Sequence, residues 1–119
     1  MTKILFVDDE ASLRLLYSEE FSEEGYEVVT AANCQEATSL LEARDIDLVV
    51  LDIQIKQESG LDMLQNIVQN QKDLPVILCS AYNCYKDDFS SWLADAYIVK
   101  SSDLGELKQE IARQLARRA

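Results

Sequence analysis

The sequence predicts an α/β fold: a doubly wound (βα)5 unit with a five-stranded parallel sheet in the order 2-1-3-4-5 and helices on both faces. Three observations predict it. Short apolar runs and stretches of helical period alternate regularly along the 119 residues. The runs are continuous, as in Leu48-Val49-Val50-Leu51 and Val76-Ile77-Leu78-Cys79, and such strands are buried on both faces, as in a sheet between two helical layers. Five strand–helix pairs in this length fit an open sheet, since a closed barrel needs eight strands and roughly 250 residues.

The elements follow in order. Strands are predicted at Lys3–Val7, Tyr26–Thr30, Asp47–Leu51, Pro75–Cys79 and Ala96–Val99. Leu13, Leu16, Glu20 and Phe21 carry a first helix, which Gly25 closes at its C-terminal cap. Ala37, Leu40 and Leu41 mark a second helix, Leu61, Leu64, Ile67 and Val68 a third, and Phe89, Trp92 and Leu93 a short fourth. Leu104, Leu107, Ile111 and Leu115 form the last, with Asp103 as its N-cap and Arg113, Arg117 and Arg118 near its negative end. With no repeat, linker or low-complexity tract, residues 1–119 read as one domain.

Composition removes several function classes. There is no histidine, so a Ser-His-Asp triad, a Cys-His dyad and a His-ligated zinc are excluded. Twenty-two acidic against eleven basic side chains give a net charge of −11, which argues against direct binding to nucleic acid or to an anionic membrane. Cys34, Cys79 and Cys84 are odd in number and form no C-x-x-C pair, so no full disulfide framework is expected. The N-terminus lacks signal-peptide architecture and no apolar run is long enough to span a bilayer. A cytoplasmic location is expected.

In open sheets of this kind the ligand sits beyond the carboxyl ends of the strands, where the strand order reverses. Here that point lies between the first and third strands. The strand ends carry Asp8-Asp9-Glu10, Asp52, Ser80 and Lys100. Each has an ordinary reading alone: Asp9 as a helix N-cap, Asp52 and Ser80 as turn residues, Lys100 as a solvated charge. Together, three carboxylates meeting in one crevice repel one another unless a cation joins them. Oxygen donors without imidazole or thiolate favour Mg²⁺. A carboxylate beside that ion is a competent nucleophile towards a phosphoryl group, and a hydroxyl and an ammonium on the next two strands can hold the phosphoryl oxygens. The pattern reads as phosphoryl transfer to Asp52.

Over essentially its whole length the chain resembles the receiver domains of two-component response regulators, a flavodoxin-like fold. The resemblance rests on Asp8-Asp9 after the first strand, Asp52 after the third, Gly60, Ser80-Ala81 after the fourth, and Tyr97-Ile98-Val99-Lys100 on the fifth. It implies that Asp52 is the phosphoacceptor for a phosphohistidine on a sensor histidine kinase or a phosphotransfer protein. It implies Mg²⁺, with Mn²⁺ a possible substitute, held by Asp9, Asp52 and the backbone carbonyl of Gln54, with Asp8 acting through water. Lys100, Ser80 and the Ala81 backbone would bind the phosphoryl group. Ser80 and Tyr97 would form the switch, and Gln54 and Tyr82 would tune dephosphorylation. Output would pass through the face made by the fourth helix, fifth strand and fifth helix to a downstream protein or a fused output domain. The receiver would be a monomer or a phosphorylation-dependent dimer, and a regulatory phosphoacceptor rather than an enzyme.

The chain departs from the family pattern twice. Ser101 follows Lys100 where a proline with a cis bond is usual, and Lys56 stands where the loop after the acceptor often has proline. A haloacid-dehalogenase-type phosphatase needs a second acid where Gln54 stands, and a flavin carrier needs a phosphate loop where Asp8-Asp9-Glu10 would repel phosphate. The remaining alternative is a receiver-like module that binds a partner without being phosphorylated. Whether the receiver stands alone or belongs to a longer regulator is open at this level.

Overall fold

The computed structural model describes residues 1–43, 45–55, 58–71, 73–80, 94–100 and 104–118. Five parallel strands form one sheet: β1 (Lys3–Val7), β2 (Glu27–Ala31), β3 (Leu48–Asp52), β4 (Val76–Ser80) and β5 (Ala96–Val99), in the spatial order β2-β1-β3-β4-β5. The helices are α1 (Ala11–Glu23), α2 (Cys34–Glu42), α3 (Gly60–Asn70) and α4 (Gly105–Arg118). A two-residue antiparallel ladder, Gln54–Ile55 against Glu58–Ser59, lies between β3 and α3. The predicted fourth helix around Phe89, Trp92 and Leu93 lies outside the described residues, as does the Asp103 cap.

Side-chain alternation along the buried strands builds two cores. Leu5, Val7, Val49, Leu51, Val76 and Leu78 face the layer of α2 and α3, where Ala37, Leu41, Met63, Leu64 and Ile67 meet them. Ile4, Phe6, Leu48, Val50, Ile77, Cys79 and Ile98 face the other way, towards Tyr17 and Phe21 of α1 and Leu107 and Ile111 of α4. Both faces are covered, which is why the strands are apolar at consecutive positions.

Strands two, three and four begin one residue later than the sequence predicts, each for a local reason. The Tyr26 N–H is spent on the Phe21 carbonyl, 3.2 Å away, within the cap of α1. Asp47 works ahead of β3 as a cap on β1, its Oδ2 accepting the Lys3 N–H at 2.8 Å. Pro75 has no N–H to give, and only its carbonyl joins the sheet, accepting from Val49.

The first helix ends as predicted at Gly25, whose φ of 95° is the left-handed conformation. Gly25 N–H donates to Ser22 and Tyr26 N–H to Phe21, with the Phe21 and Tyr26 rings 6.5 Å apart; this is a Schellman cap with its apolar contact. Its buried face differs from the prediction: Tyr17 and Phe21 are buried, whereas Leu16 is half-buried. The aromatic rings fit better against Phe6, on which Tyr17 stacks at 4.8 Å. Asp9 does not cap this helix. Glu10 holds the N-cap position without a side-chain cap bond, which leaves the Asp9 carboxylate in the crevice.

Candidate functional site

The site grows from the register of the two central strands. Val7 pairs with Leu51 across β1 and β3, so the next residue of each chain, Asp8 and Asp52, emerges beside the other at the strand ends. This is the point where the sheet order reverses, and therefore where the crevice lies. Asp9 follows at the bend before α1. One carboxylate oxygen from each of Asp8, Asp9 and Asp52 lies within 4.8 Å of the others.

Asp8 is only 2% exposed, and hydrogen bonds hold it on every side. Its N–H donates to Ala31 at 3.0 Å. Its Oδ1 accepts the Glu10 N–H at 2.9 Å, and its main-chain carbonyl accepts from the Arg14 guanidinium at 2.7 Å. Its Oδ2 faces Lys100 Nζ at 2.8 Å. Asp52, the last residue of β3 and 7% exposed, places Oδ2 at 3.1 Å from the same ammonium.

Lys100 reaches this position because β5 pairs with β4, bringing Val99 opposite Ser80 at the strand ends. Burial disfavours its charge, but the hydrogen bond to Asp8 and the charges of Asp52 and Asp8 outweigh that and hold its pKa above the ordinary lysine value. It is an ammonium at neutral pH. Three carboxylates against one ammonium leave two formal negative charges in the crevice. An all-oxygen set of that charge fits Mg²⁺, which takes one or two carboxylates and keeps several waters.

Beneath the crevice, on the α1 side of the sheet, Tyr17 and Cys79 lie together. Burial pushes the Cys79 thiol up to about 11, and it raises Tyr17 too, helped by Cys79 and the nearby acidic charges. With Lys100, Ile98 and Leu107 they line a cavity of about 90 Å³.

Of the other residues singled out by sequence, Tyr97 is half-buried on β5 and packs against the core facing α2 and α3. Gln54 begins the short ladder two residues after Asp52, its backbone paired with Ser59. Ser80 ends β4, but its side chain is not among those described. Ala81, Tyr82, Lys56 and the Lys100–Ser101 bond lie outside the described residues.

Sequence reasoning missed two residues and one contact. Arg14 clamps the Asp8 carbonyl, and its signal was a basic side chain one turn into α1. Leu15 is 61% exposed on the same turn; it carried no signal, because helical period assigned it no face. Gly60 was noted as part of a motif, yet its close contact with the Asp52 backbone could not be read from the sequence.

A family model for the response regulator receiver domain matches residues 4–112. The chain belongs to that family. Receiver domains are regulatory phosphoacceptor domains of phosphorelay signalling. Among solved structures, the response regulator TrrA from Thermotoga maritima, in complex with Mg²⁺-BeF, is 45% identical with a TM-score of 0.92, covering 96% of this chain and 99% of TrrA. TrrA in complex with the histidine kinase ThkA matches with a TM-score of 0.91 at 45% identity, over 97% of this chain and 99% of that one. A probable transcriptional regulator, ycf27, from Cyanophora paradoxa is 37% identical over 118 residues, 98% of this chain and 48% of the relative. The response regulator SaeR from Staphylococcus aureus is 34% identical over 119 residues, 98% of this chain and 52% of SaeR. The receiver domain thus spans about half the length of these two curated relatives. No described helix of this receiver is long and apolar enough to cross a membrane.

Proposed function

We propose that this receiver accepts a phosphoryl group on Asp52 from the phosphohistidine of a sensor histidine kinase or a phosphotransfer protein. One observation carries the reading: three carboxylate oxygens within 4.8 Å of one another, bracketed by Lys100 at 2.8 and 3.1 Å. An Asp52 carboxylate oxygen attacks phosphorus and the P–N bond breaks. Its electron pair leaves with the imidazole nitrogen, which takes up a proton. Asp9, Asp52 and the Gln54 carbonyl would hold Mg²⁺ directly, with Asp8 acting through water. Held there, Mg²⁺ would supply positive charge to offset the negative charge on the phosphoryl oxygens.

The chain's own groups do the rest. Lys100 exchanges Asp52 Oδ2 for a phosphoryl oxygen without travelling far, because Asp8 retains it on the other side. The Ser80 hydroxyl and the Ala81 N–H hold the remaining oxygens. The transferred group adds about −1.5 to −2 charges, so Ser80 is drawn towards Asp52 and Tyr97 rearranges behind it. That change alters the face of the predicted fourth helix, β5 and the C-terminal helix, which a downstream protein or fused output domain reads. Gln54 and Tyr82 set how fast the domain loses its phosphoryl group. A cytoplasmic location and a single receiver unit over residues 1–119 complete the reading.

The test is intact mass after incubation with acetyl phosphate and Mg²⁺, comparing wild type with Asp52→Asn. The expected result is one added phosphoryl group in wild type alone, abolished by chelation. No addition to folded wild type, with the donor active on another receiver, would favour a module that binds its partner without phosphorylation.

A further inference from the structure

We propose that Gly60 is a positioning residue: it sets where the Asp52 carboxylate and the Gln54 carbonyl stand. The inference rests on the phosphoacceptor reading above. Gly60 opens α3, and its N–H donates to the Ile53 carbonyl at 2.6 Å, so the chain leaves the strand end and returns to touch it. A Cβ at Gly60 would lie 2.0 Å from the Asp52 carbonyl oxygen, 2.8 Å from Ile53 Cα and 2.9 Å from the Asp52 carbonyl carbon. All three are main-chain atoms, so no rotation of a side chain can make room. Reaching ordinary contact at 3.4 Å would require the two segments to separate by about 1.4 Å.

The packing decides which parts yield. Helix α3 is anchored by Met63, Leu64 and Ile67, all buried in the core. Residues Leu48 to Leu51 are buried and hydrogen-bonded between β1 and β4. Asp52 is the last residue of the strand paired with the next strand, at Cys79, so the displacement is shared between that strand end, where Asp52 and Gln54 stand, and the first turn of α3. Mg²⁺ tolerates little departure from its octahedral geometry, and a misplacement of about 1 Å in a reacting group can cost on the order of a hundredfold in rate.

Gly25 supplies the control. Its φ of 95° requires glycine for backbone reasons, yet nothing lies within 4 Å of the position its Cβ would take. Gly25→Ala strains a helix cap remote from the acidic crevice, whereas Gly60→Ala pushes directly on the acceptor backbone.

The experiment is calorimetric titration of Mg²⁺ into wild type, Gly60→Ala and Gly25→Ala, at a temperature where circular dichroism shows each folded. Acetyl phosphate labelling is measured alongside. Gly60→Ala is expected to raise the Mg²⁺ Kd fivefold or more and to slow labelling at saturating Mg²⁺, while Gly25→Ala keeps both within twofold. A smaller change in the Gly60→Ala Kd overturns the proposal. Should Gly60→Ala fail to fold, the wild-type Gly60 amide resonance decides. A shift that saturates with the Mg²⁺ Kd supports the proposal, and an unmoved Gly60 beside shifting Asp9 and Asp52 overturns it. Wild type that neither binds Mg²⁺ nor takes label removes the phosphoacceptor reading itself, and this inference with it.

Discussion

The Lys100 ammonium lies 3.1 Å from Asp52 Oδ2, and a second bridge of 2.8 Å to Asp8 holds it there. Two nearly buried carboxylates thus share one cation. Lys100→Met would remove this shared ion pair from both, and losing a partner in a buried site costs roughly 1–3 kcal/mol. We expect a urea midpoint lowered accordingly in metal-free protein, with much of the loss restored by Mg²⁺. The same substitution takes the crevice from two formal negative charges to three, so calorimetry should show tighter Mg²⁺ binding. Weaker binding would mean that Lys100 shapes the site rather than competing with the cation.

Asp9 supplies the opposite case. Its carboxylate stands within 4.8 Å of two others, and like charges this close raise the free energy of the metal-free fold. Asp9→Asn should raise metal-free stability by about 0.5–2 kcal/mol, the usual range for a single stabilising substitution. The variant should also lose most of the stabilisation by Mg²⁺, which for a bound ion at a hundredfold excess over Kd is about 2.7 kcal/mol. Thermal melts with and without Mg²⁺ measure both effects. A variant that melts below wild type without metal would show that the acids are already neutralised by other means.

These contrasts explain what was legible in the sequence. The strands were visible because continuous apolar runs such as Leu48 to Leu51 are required wherever helices cover both faces. Asp8, Asp52 and Lys100 were placed because each directly follows or ends such a run, and parallel pairing brings the ends together. Start positions slipped by one residue where a cap or proline consumed a backbone group, as at Tyr26 and Pro75, since apolar character alone does not report hydrogen bonding. Arg14 acts through a carbonyl, and the Gly60 contact depends on the path of a whole loop. Neither leaves a periodic trace.

Leu15 is 61% exposed on the first helix, one residue beyond the Arg14 that clamps Asp8. An exposed leucine one residue from the Arg14 that clamps Asp8 offers apolar area to the protein that delivers the group, and burying such a side chain contributes roughly 1.5–3 kcal/mol. Leu15→Asp should leave labelling by acetyl phosphate within twofold of wild type while slowing transfer from a phosphorylated kinase or phosphotransfer protein by tenfold or more. Equal effects on both donors would place Leu15 in the chemistry or the fold rather than in docking.

Stability should be insensitive to mild alkali and then fall. Burial pushes the Cys79 thiol from the usual 9 up to about 11 and drives Tyr17 upwards as well, while its acidic neighbours raise Lys100 against the opposing effect of burial. Above pH 9 the unfolded chain releases the Cys79 proton and the folded chain keeps it. The folded state then binds more protons, and stability declines with rising pH by about 1.4 kcal/mol per unit for each such group. Lys100 acts with the same sign: its contribution is complete below the unfolded value of 10.5 and is lost as pH rises through the folded one. Urea unfolding across pH 7 to 11 should therefore show a plateau followed by a slope beginning near 9. Cys79→Ala should be less stable at neutral pH, by about 1 kcal/mol for a small truncation in a packed core, yet its decline should begin later, where Tyr17 and Lys100 take over. An unchanged onset in that variant would show that the thiol ionises in the folded protein, through water admitted by the adjoining cavity of about 90 Å³.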